Sequence, residues 1–276
     1  MTLPLPRRAL LAGGLGAAAA ALAAPRLPRA QPRPRLLGYP AWLDAWEAVL
    51  RRRVDAQGRV DFAGLAAEPG PLEAVVAEVE AAGPGNQPAA FPTRADVLAF
   101  HINAYNATAM LGIVRRGIPT ALSLIGRYQF FANTAVRVGG ALTTLKAYED
   151  GVIRPLGEER AHFALNCMVR GCPRLPREAF RAPRLEAQLS AAAREFCESP
   201  YQVRPDPAVR TVRVSQIFDF YTADFVPARA PTLIAYINRW RREPIPADWT
   251  LRFFDYDWTV NRRPSAAAAG AAAAAG

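Results

Sequence analysis

Lysine and histidine are almost absent from this 276-residue chain, which contains two histidines and three cysteines. Lys146 is its one lysine, so arginine supplies nearly all of the positive charge behind a formal net charge of +10. Six arginines lie in residues 1–35 and two more at 262 and 263, and neither end contains an acidic residue. Removing those eight charges leaves +2 for residues 36–261. Phosphate binding needs a concentrated basic surface, so nucleic-acid binding is not expected.

The chain also lacks an uninterrupted hydrophobic run of membrane length. Ala9 to Ala24 contains only Ala, Gly and Leu, and these 16 residues are fewer than the ~20 that span a bilayer. Arg7 and Arg8 precede the run, and Ala21-Leu22-Ala23 is typical of a cleavage site. Residues 1–30 therefore predict a twin-arginine-like export signal, the alternative being a disordered alanine-rich leader. The mature protein is expected to be soluble and periplasmic or secreted, with no membrane span.

Apolar periodicity predicts a mainly helical body. Helices are expected over residues 41–54, 71–82, 93–116, 144–154, 185–197, 215–225 and 231–240. Short strands are expected near 136–138, followed by a two-glycine turn, and at 161–166, 212–214 and 252–257. The fold class is therefore α+β, with one mainly helical domain over 36–262 and a small, mostly antiparallel sheet. Residues 263–276 are predicted to be a low-complexity disordered tail, and no internal repeat, dinucleotide motif or phosphate loop is found.

The helix predicted between Thr93 and Arg116 is apolar on nearly every side, which is typical of a buried helix. Asn103 and Asn106 lie on one stripe of it, where leucine would be expected. A buried amide without a hydrogen bond costs about 1–3 kcal/mol. Either the two amides tie the helix to neighbouring backbone, or they line a pocket and orient a reacting group. His101, on the same helix, is interpreted as a core histidine.

The stretch HFALNCMVRGCP, residues 162–173, holds one of the two histidines and two of the three cysteines. If 162–167 is a regular strand, His162 and Cys167 point to opposite faces, whereas Cys172 lies in a loop that can fold back. A nucleophilic cysteine needs a nearby base or cation, and its imidazole needs an orienting acceptor. Cys172 with His162 fits this requirement, and Glu149 or the acids Asp255 and Asp257 could supply the acceptor.

Two other interpretations of the same stretch remain open. Cys167 and Cys172 are close enough in sequence for a turn to bring them within disulfide range, and exported proteins usually oxidise such pairs. The bond would order a loop, and it could also be redox-active. The third interpretation is a metal site in which His162 and both cysteines bind zinc or another transition metal, although their spacing is not that of common zinc modules.

Four segments, LAFHINAYNATAM, LTTLKAYEDGVIRP, HFALNCMVRGCPRLPREAF and RFFDYDWTVN, occur in that order. Together they resemble the domain of unknown function 547 family, whose bacterial members often follow an export signal. The resemblance runs from about Asp55 to Asn261. His101 and Asp150 depart from the family pattern, which argues against a required role for either. The matching positions are Asn103, Tyr105, Asn106, Glu149, Arg154, His162, Cys167, Cys172, Pro173 and Asp257.

The resemblance implies no reaction, but it places the histidine and both cysteines of the central stretch in the family pattern. The helix followed by Gly117-Ile118-Pro119 is also somewhat similar to papain- and transglutaminase-like thiol enzymes. Their nucleophilic cysteine would begin that helix, and this chain has none there.

The leading hypothesis is a thiol-dependent hydrolase or acyltransferase that acts on a small molecule or peptide and needs no cofactor. Cys172 would attack a carbonyl, His162 would act as base and then acid, and Glu149 would orient the imidazole. Asn103 or Asn106 would stabilise the oxyanion. Further binding residues are expected among Tyr105, Arg154, Cys167 and Asp257. The competing hypothesis is a non-catalytic binding or scaffold module with a structural Cys167–Cys172 disulfide.

Overall fold

A computed structural model describes residues 36–264 of the chain. The predicted export signal and all but the first two residues of the predicted tail lie outside this range. The helices are α1 (Trp42–Arg53), α2 (Phe62–Ala67), α3 (Gly70–Ala81), α4 (Arg94–Arg115), α5 (Leu124–Tyr128), α6 (Leu145–Tyr148), α7 (Leu185–Glu198), α8 (Ile217–Phe220), α9 (Thr222–Phe225) and α10 (Leu233–Asn238). The strands are β1 (Ala135–Val138), β2 (Ala141–Thr144), β3 (Val203–Asp206), β4 (Thr211–Ser215) and β5 (Thr250–Phe254).

Helix α4 forms the centre of the fold. Its first turn is closed by a capping box in which Thr93 and Asp96 each accept a hydrogen bond from the other's backbone N–H. Gly117 ends the helix at φ +72°, a conformation that glycine adopts without strain. Every residue from Leu98 to Leu111 is buried, so the predicted buried helix is confirmed.

Length and composition would allow α4 to cross a membrane, and it is the one such helix among residues 36–264. However, 83% of its most apolar window is buried inside the fold. This is the behaviour of a core helix, which passes the same test of length and hydropathy.

Two clusters of aromatic residues pack within the core, which also contains many aliphatic side chains. Trp42 of α1 packs edge-on against Phe100 of α4, with ring centroids 5.8 Å apart. In the second cluster Phe163 is central, and its neighbours are Phe196, Phe218, Phe225 and Tyr236. Phe163 ends a 3₁₀ helix, Glu159–Phe163, so this cluster fixes the backbone on which His162 lies.

The strands form two small sheets. Strands β1 and β2 are an antiparallel hairpin whose turn residues, Gly139 and Gly140, have φ values of +55° and +83°, as a two-residue primed turn requires. In the other sheet β3 pairs antiparallel with β4, whereas β4 pairs parallel with β5. The prediction of a mainly helical α+β fold with short strands is confirmed, with two separate sheets in place of one.

The strand predicted at residues 161–166 is wrong. The 3₁₀ helix Glu159–Phe163 occupies its start, and residues 164–167 belong to neither a helix nor a strand. A short buried apolar run is compatible with either structure, because periodicity alone does not separate them. The helix predicted over 215–225 is also interrupted, since Tyr221 separates α8 from α9.

Side-chain amides satisfy the backbone of this buried segment. The Asn106 Oδ1 accepts a hydrogen bond from the Asn166 backbone N–H (2.7 Å), and the Asn106 amide donates to the Ala164 carbonyl (2.9 Å). Asn166 then closes the next loop: its Oδ1 accepts from the Met168 N–H (2.8 Å) and its amide donates to the Pro173 carbonyl (2.7 Å). The two amides therefore replace the hydrogen bonds that a strand would have made.

A strap formed by residues 257–261 holds the far side of the same loop. The backbone N–H groups of Arg170 and Gly171 donate to the carbonyls of Thr259 and Asp257, at 2.9 and 2.8 Å. In the other direction, the Asn261 N–H donates to the Met168 carbonyl at 2.9 Å. The loop that contains Cys167 and Cys172 is thus fixed on both sides by chain segments that are distant in sequence.

Replacing Asn106 by leucine should destabilise the fold by about 2–6 kcal/mol. The substitution leaves the Asn166 N–H and the Ala164 carbonyl buried without partners, at about 1–3 kcal/mol each. Urea unfolding of both proteins measures the difference. Gln57→Leu, which exchanges an exposed amide for the same side chain, is the control and should change the free energy of unfolding by less than about 0.5 kcal/mol. A loss below about 1 kcal/mol in Asn106→Leu would contradict this account.

Candidate functional site

A cavity of about 300 Å³ is lined by His162 and both cysteines of the central stretch. This volume is at the lower end of the range for small-molecule sites. The cavity also contains two acids, Glu149 and Asp150, and two cations, Lys146 and Arg127. Aromatic side chains form much of its wall; they include Tyr105, Tyr128, Phe131, Tyr221, Tyr256 and Trp258.

His162 is held by Asp224 of α9. The His162 Nε2 lies 2.8 Å from the Asp224 Oδ2, and the Arg154 guanidinium donates to both oxygens of the same carboxylate at 2.8 and 3.0 Å. The hydrogen bond from His162 and the guanidinium of Arg154 hold the pKa of Asp224 far below its usual range. Tyr221 stacks on the imidazole with ring centroids 3.9 Å apart. The ring therefore has a fixed position and a fixed plane.

The Asp224 contact also determines which imidazole nitrogen is available. An ionised carboxylate only accepts hydrogen bonds, so Nε2 carries the hydrogen and Nδ1 of the neutral ring does not. Nδ1 is buried and has no hydrogen-bond partner among the described residues. The nearest acidic oxygen, Glu149 Oε1, is 4.0 Å away. Nδ1 is consequently the imidazole nitrogen that is left without a hydrogen bond.

Glu149 does not make the orienting contact expected of it. Asp224 makes that contact, and Glu149 lies by the other nitrogen and next to the Tyr221 hydroxyl. Burial and the neighbouring Glu149 carboxylate raise the pKa of Tyr221, and the same two causes, burial first, raise that of Tyr105 well above its usual value. Both tyrosines therefore stay protonated on the wall of the cavity.

The two cysteines of the loop are free thiols in direct contact. Their Sγ atoms are 2.6 Å apart, the Cys167 backbone N–H donates to the Cys172 Sγ at 3.1 Å, and the Tyr256 hydroxyl donates to it at 3.3 Å. Cys172 thus receives several hydrogen bonds, and Cys167 is one of the donors. A disulfide between them would require only that these adjacent sulfur atoms be oxidised.

This asymmetry separates the acidities of the two thiols. Burial raises the pKa of Cys172, but hydrogen bonds from the Cys167 thiol, the Tyr256 hydroxyl and the backbone outweigh it, so the pKa lies below the ordinary value. The pKa of Cys167 is raised well above its ordinary value, first by its hydrogen bond to Cys172 and then by burial. Burial and the nearby sulfur atoms also raise the pKa of Tyr256. Cys172 is therefore the group of this cluster that ionises first.

The two amides of α4 lie outside this cavity. Asn103 accepts hydrogen bonds from the Trp46 indole and the Phe180 N–H, both at 3.1 Å, and donates to the carbonyls of Ala99 and Phe180. Asn106 is bonded to the backbone of the buried segment. Both donors of the Asn103 amide are used, and the Asn106 amide is bonded to backbone through its oxygen and its nitrogen. These contacts favour the structural interpretation of both.

The remaining expected binding residues fall into two groups. Tyr105 and Cys167 line the cavity. Arg154 supports Asp224 and Asp150 and lines a separate cavity of about 180 Å³ on another side of His162. Asp257 is part of the strap, where its Oδ1 accepts from the Thr259 N–H at 2.9 Å. Tyr105 and Cys167 are thus placed to contact a ligand, and Arg154 and Asp257 support the site from outside.

Sequence reasoning missed Asp224, Tyr221 and Asn166. Tyr221 and Asp224 are three positions apart, a spacing that puts two side chains on one face of a helix, and this was a usable signal in DFYTADF. Asn166 gave no comparable signal, because its role depends on the loop that it closes.

A metal site receives no support from the residues that the structure describes, where no group of three or more potential ligands of the His, Cys, Asp and Glu types is found. His101 behaves as a core histidine. Its Nδ1 is 2.6 Å from the Tyr148 hydroxyl, and burial lowers its pKa to about 4.

Residues 90–197 match the sequence model of the family described as "Protein of unknown function, DUF547". The matched range contains α4, His162 and both loop cysteines, and it supports the family resemblance seen in the motifs. Asp224, Tyr256 and the 257–261 strap lie beyond it. No curated protein and no solved structure matches the chain.

Replacing Asp224 by asparagine should lower the stability of the fold by about 1–2 kcal/mol near neutral pH, a modest effect because the carboxylate is partly solvated. The pKa of Asp224 is depressed in the folded state, so its contribution is present above the unfolded pKa of about 3.9 and is lost as the pH falls through the folded value. The difference from wild type should therefore be widest above about pH 4.

Urea unfolding across this pH range measures the effect. Asp219→Asn, on the exposed side of α8, is the matched control and should show almost no difference at any pH. A difference between wild type and Asp224→Asn that stays constant from pH 7 to pH 2 would contradict the assigned ion pair.

Replacing Tyr256 by phenylalanine should slow alkylation of Cys172 at mildly acidic pH by about five- to tenfold, because the thiolate loses one hydrogen-bond donor and its pKa rises. Peptide mass spectrometry after timed iodoacetamide labelling gives the rate at each pH. Tyr148→Phe removes a buried hydroxyl away from the sulfur atoms and should leave the rate unchanged. Equal rates in wild type and Tyr256→Phe would show that the hydroxyl does not stabilise the thiolate.

Proposed function

We propose that this protein is an exported bacterial enzyme that carries out thiol-dependent acyl transfer, as a hydrolase or an acyltransferase. The observation that carries the proposal is that one cavity is lined both by Cys172, whose thiol pKa is lowered, and by His162, whose imidazole Asp224 orients. A nucleophilic thiol and an oriented imidazole are the two groups that covalent acyl transfer requires.

In the first step the Cys172 sulfur attacks the substrate carbonyl carbon and a carbon–sulfur bond forms. The thiol proton moves to the His162 Nδ1, and the resulting imidazolium gives it to the leaving group as the bond to the carbonyl carbon breaks. Water or an acceptor hydroxyl or amine then attacks the thioester carbon, and His162 accepts its proton. The carbon–sulfur bond breaks, the acyl product leaves, and the released Cys172 thiolate takes the proton back from the imidazolium. Asp224 stabilises the imidazolium throughout, while Arg154 holds the carboxylate in place.

No hydrogen bond joins Cys172 and His162 in the structure, although both line the cavity. Catalytic hydrogen bonds are often long or poorly aligned in empty sites and tighten when substrate binds. A stabilised thiolate can also attack without a base in contact, since the thiolate is the nucleophilic form. His162 is then needed most when the leaving group has to be protonated.

Tyr256 is proposed as the donor that stabilises the oxyanion. Asn103 and Asn106, the donors expected from sequence, are bonded to other groups. The Tyr256 hydroxyl is 3.3 Å from the Cys172 Sγ. When the sulfur bonds to the carbonyl carbon it loses its negative charge, so the hydroxyl can turn towards the oxyanion of the tetrahedral intermediate. Its raised pKa keeps it protonated for this role.

Export rests on the composition of residues 1–30, with paired arginines before a short, weakly apolar run. A twin-arginine pathway would deliver the folded protein to the periplasm or beyond. Acyl transfer through a thiol needs no cofactor, and zinc or another metal is not part of the proposed reaction.

The adjacent sulfur atoms favour a second candidate function. In an oxidising compartment Cys167 and Cys172 could form a disulfide, and the protein would then be a binding or scaffold module whose loop is fixed by that bond. The cavity would hold a small molecule or peptide without reacting with it.

Steady-state kinetics with a panel of acyl thioesters, p-nitrophenyl esters and N-acyl amides tests the enzyme hypothesis. Cys172→Ser should lower kcat/KM by more than about 10³-fold, and His162→Asn by about 10²- to 10³-fold, because each removes a reacting group. Asp224→Asn should lower kcat/KM by about 10- to 100-fold, because the imidazole is then no longer oriented by a carboxylate.

Cys197→Ser is the matched control, since it makes the same substitution on the buried cysteine of α7 away from the cavity, and it should retain activity within about fivefold. Intact mass should also show an acyl group on Cys172 in the wild type. Turnover that survives Cys172→Ser would exclude the proposed nucleophile. A protein that turns over none of the panel and contains a complete Cys167–Cys172 bond would support the binding module.

A further inference from the structure

Arg127 presents an unpaired guanidinium to the cavity. It belongs to α5, and its Cζ atom lies 4.4 Å from the centroid of the Trp258 ring. No hydrogen bond or ion pair of its side chain is found within residues 36–264, and its Nε is buried without a partner. A guanidinium with unused donors matches the geometry of a carboxylate, which can accept two parallel hydrogen bonds from it.

Among the charged residues that line the cavity, Arg127 is the cation whose hydrogen-bond donors are not used by another described residue. The Lys146 ammonium is 2.7 Å from Asp150, and the other oxygen of Asp150 is 3.0 Å from Arg154. These two cations balance the negative charge of Asp150. The remaining acid, Glu149, lies by the Nδ1 of His162 at 4.0 Å, and no ion pair links it to Arg127 in the described part of the chain.

A continuous wall of contacts connects Arg127 to the proposed nucleophile. Arg127 lies over Trp258, the Trp258 ring packs against Tyr256 with centroids 4.8 Å apart, and the Tyr256 hydroxyl is 3.3 Å from the Cys172 Sγ. A ligand that lies along this wall can therefore contact the guanidinium and the sulfur together. Tyr128 and Phe131 border the same cavity and offer apolar surface between charged groups.

We infer that the substrate of this site carries a carboxylate, which binds the Arg127 guanidinium, and an apolar or aromatic part that packs against Tyr128, Phe131 and Trp258. Acyl derivatives of amino acids and short peptides with a free carboxyl end have this chemistry. The inference rests on the proposed acyl-transfer function and adds the substrate class to it. Arg127 acts here as a specificity residue, because it binds the part of the substrate that does not react.

Calorimetry with N-acetylphenylalanine and N-acetylphenylalanine amide tests the inference, since the two probes differ only in the carboxylate. The wild type should bind the acid at least ten times more tightly than the amide. Arg127→Gln should bring the ratio of the two Kd values below about three, and Arg127→Lys should restore part of the preference through its charge. Arg252→Gln, which removes an exposed arginine of β5, should keep the wild-type ratio.

A wild type that binds acid and amide equally, or binds neither, overturns the inference, as does a tenfold preference that survives in Arg127→Gln. Iodoacetamide labelling of Cys172 in the same samples reports separately on the proposed function. If Cys172 is reactive but the protein does not prefer the carboxylate, the inferred substrate class is wrong and the proposed acyl-transfer function stands. If the protein prefers the carboxylate but Cys172 is unreactive, the proposed reaction is wrong and Arg127 is an anion-binding residue only.

Discussion

Burying backbone without a helix or a strand leaves N–H and carbonyl groups that need other partners, and residues 164–173 find many of theirs in side-chain amides. Asn106 satisfies the segment from α4, and Asn166 closes the loop that contains both cysteines. Strap residues 257–261 satisfy the other side. Because these partners come from distant parts of the chain, the loop can take its shape only in the complete fold. The position of the cysteines is thus a consequence of tertiary structure.

The chemical asymmetry of the site follows from that loop. Its shape directs the Cys167 thiol and backbone N–H towards the Cys172 sulfur, and the chain end supplies the Tyr256 hydroxyl. Hydrogen bonds to the charged form lower a pKa, and donating a hydrogen bond raises one. The half-buried Cys167 and the buried Cys172 therefore acquire different acidities. His162 is oriented by a separate device, the carboxylate of Asp224. The cavity is where these two independently built parts meet.

Local patterns predicted most of the helices, because apolar spacing, the Thr93 capping box and the Gly117 terminator act over a few residues. They also selected His162, Cys167 and Cys172 as candidates, and these three residues line one cavity. Local patterns could not identify the hydrogen-bond partners of these residues, because Asp224 is 62 positions from His162 and Tyr256 is 84 positions from Cys172. The buried apolar run 161–166 was wrongly predicted to be a strand for the same reason. Asn106, whose side chain replaces the hydrogen bonds that a strand would make, lies on the distant helix α4. The family resemblance reduced the number of candidate site residues, but it did not show how those residues are arranged in space.

The chemistry of the site depends on Cys172 being a free thiol of lowered pKa beside a second, less acidic thiol. The decisive measurement is a mass-spectrometric thiol count on protein exported to its own compartment and alkylated at mildly acidic pH with and without reductant. We expect Cys172 to be labelled without reductant, well before Cys167 and before the buried Cys197, whose pKa burial raises. A complete Cys167–Cys172 disulfide, which after reduction leaves Cys172 no more reactive than Cys197, would contradict it.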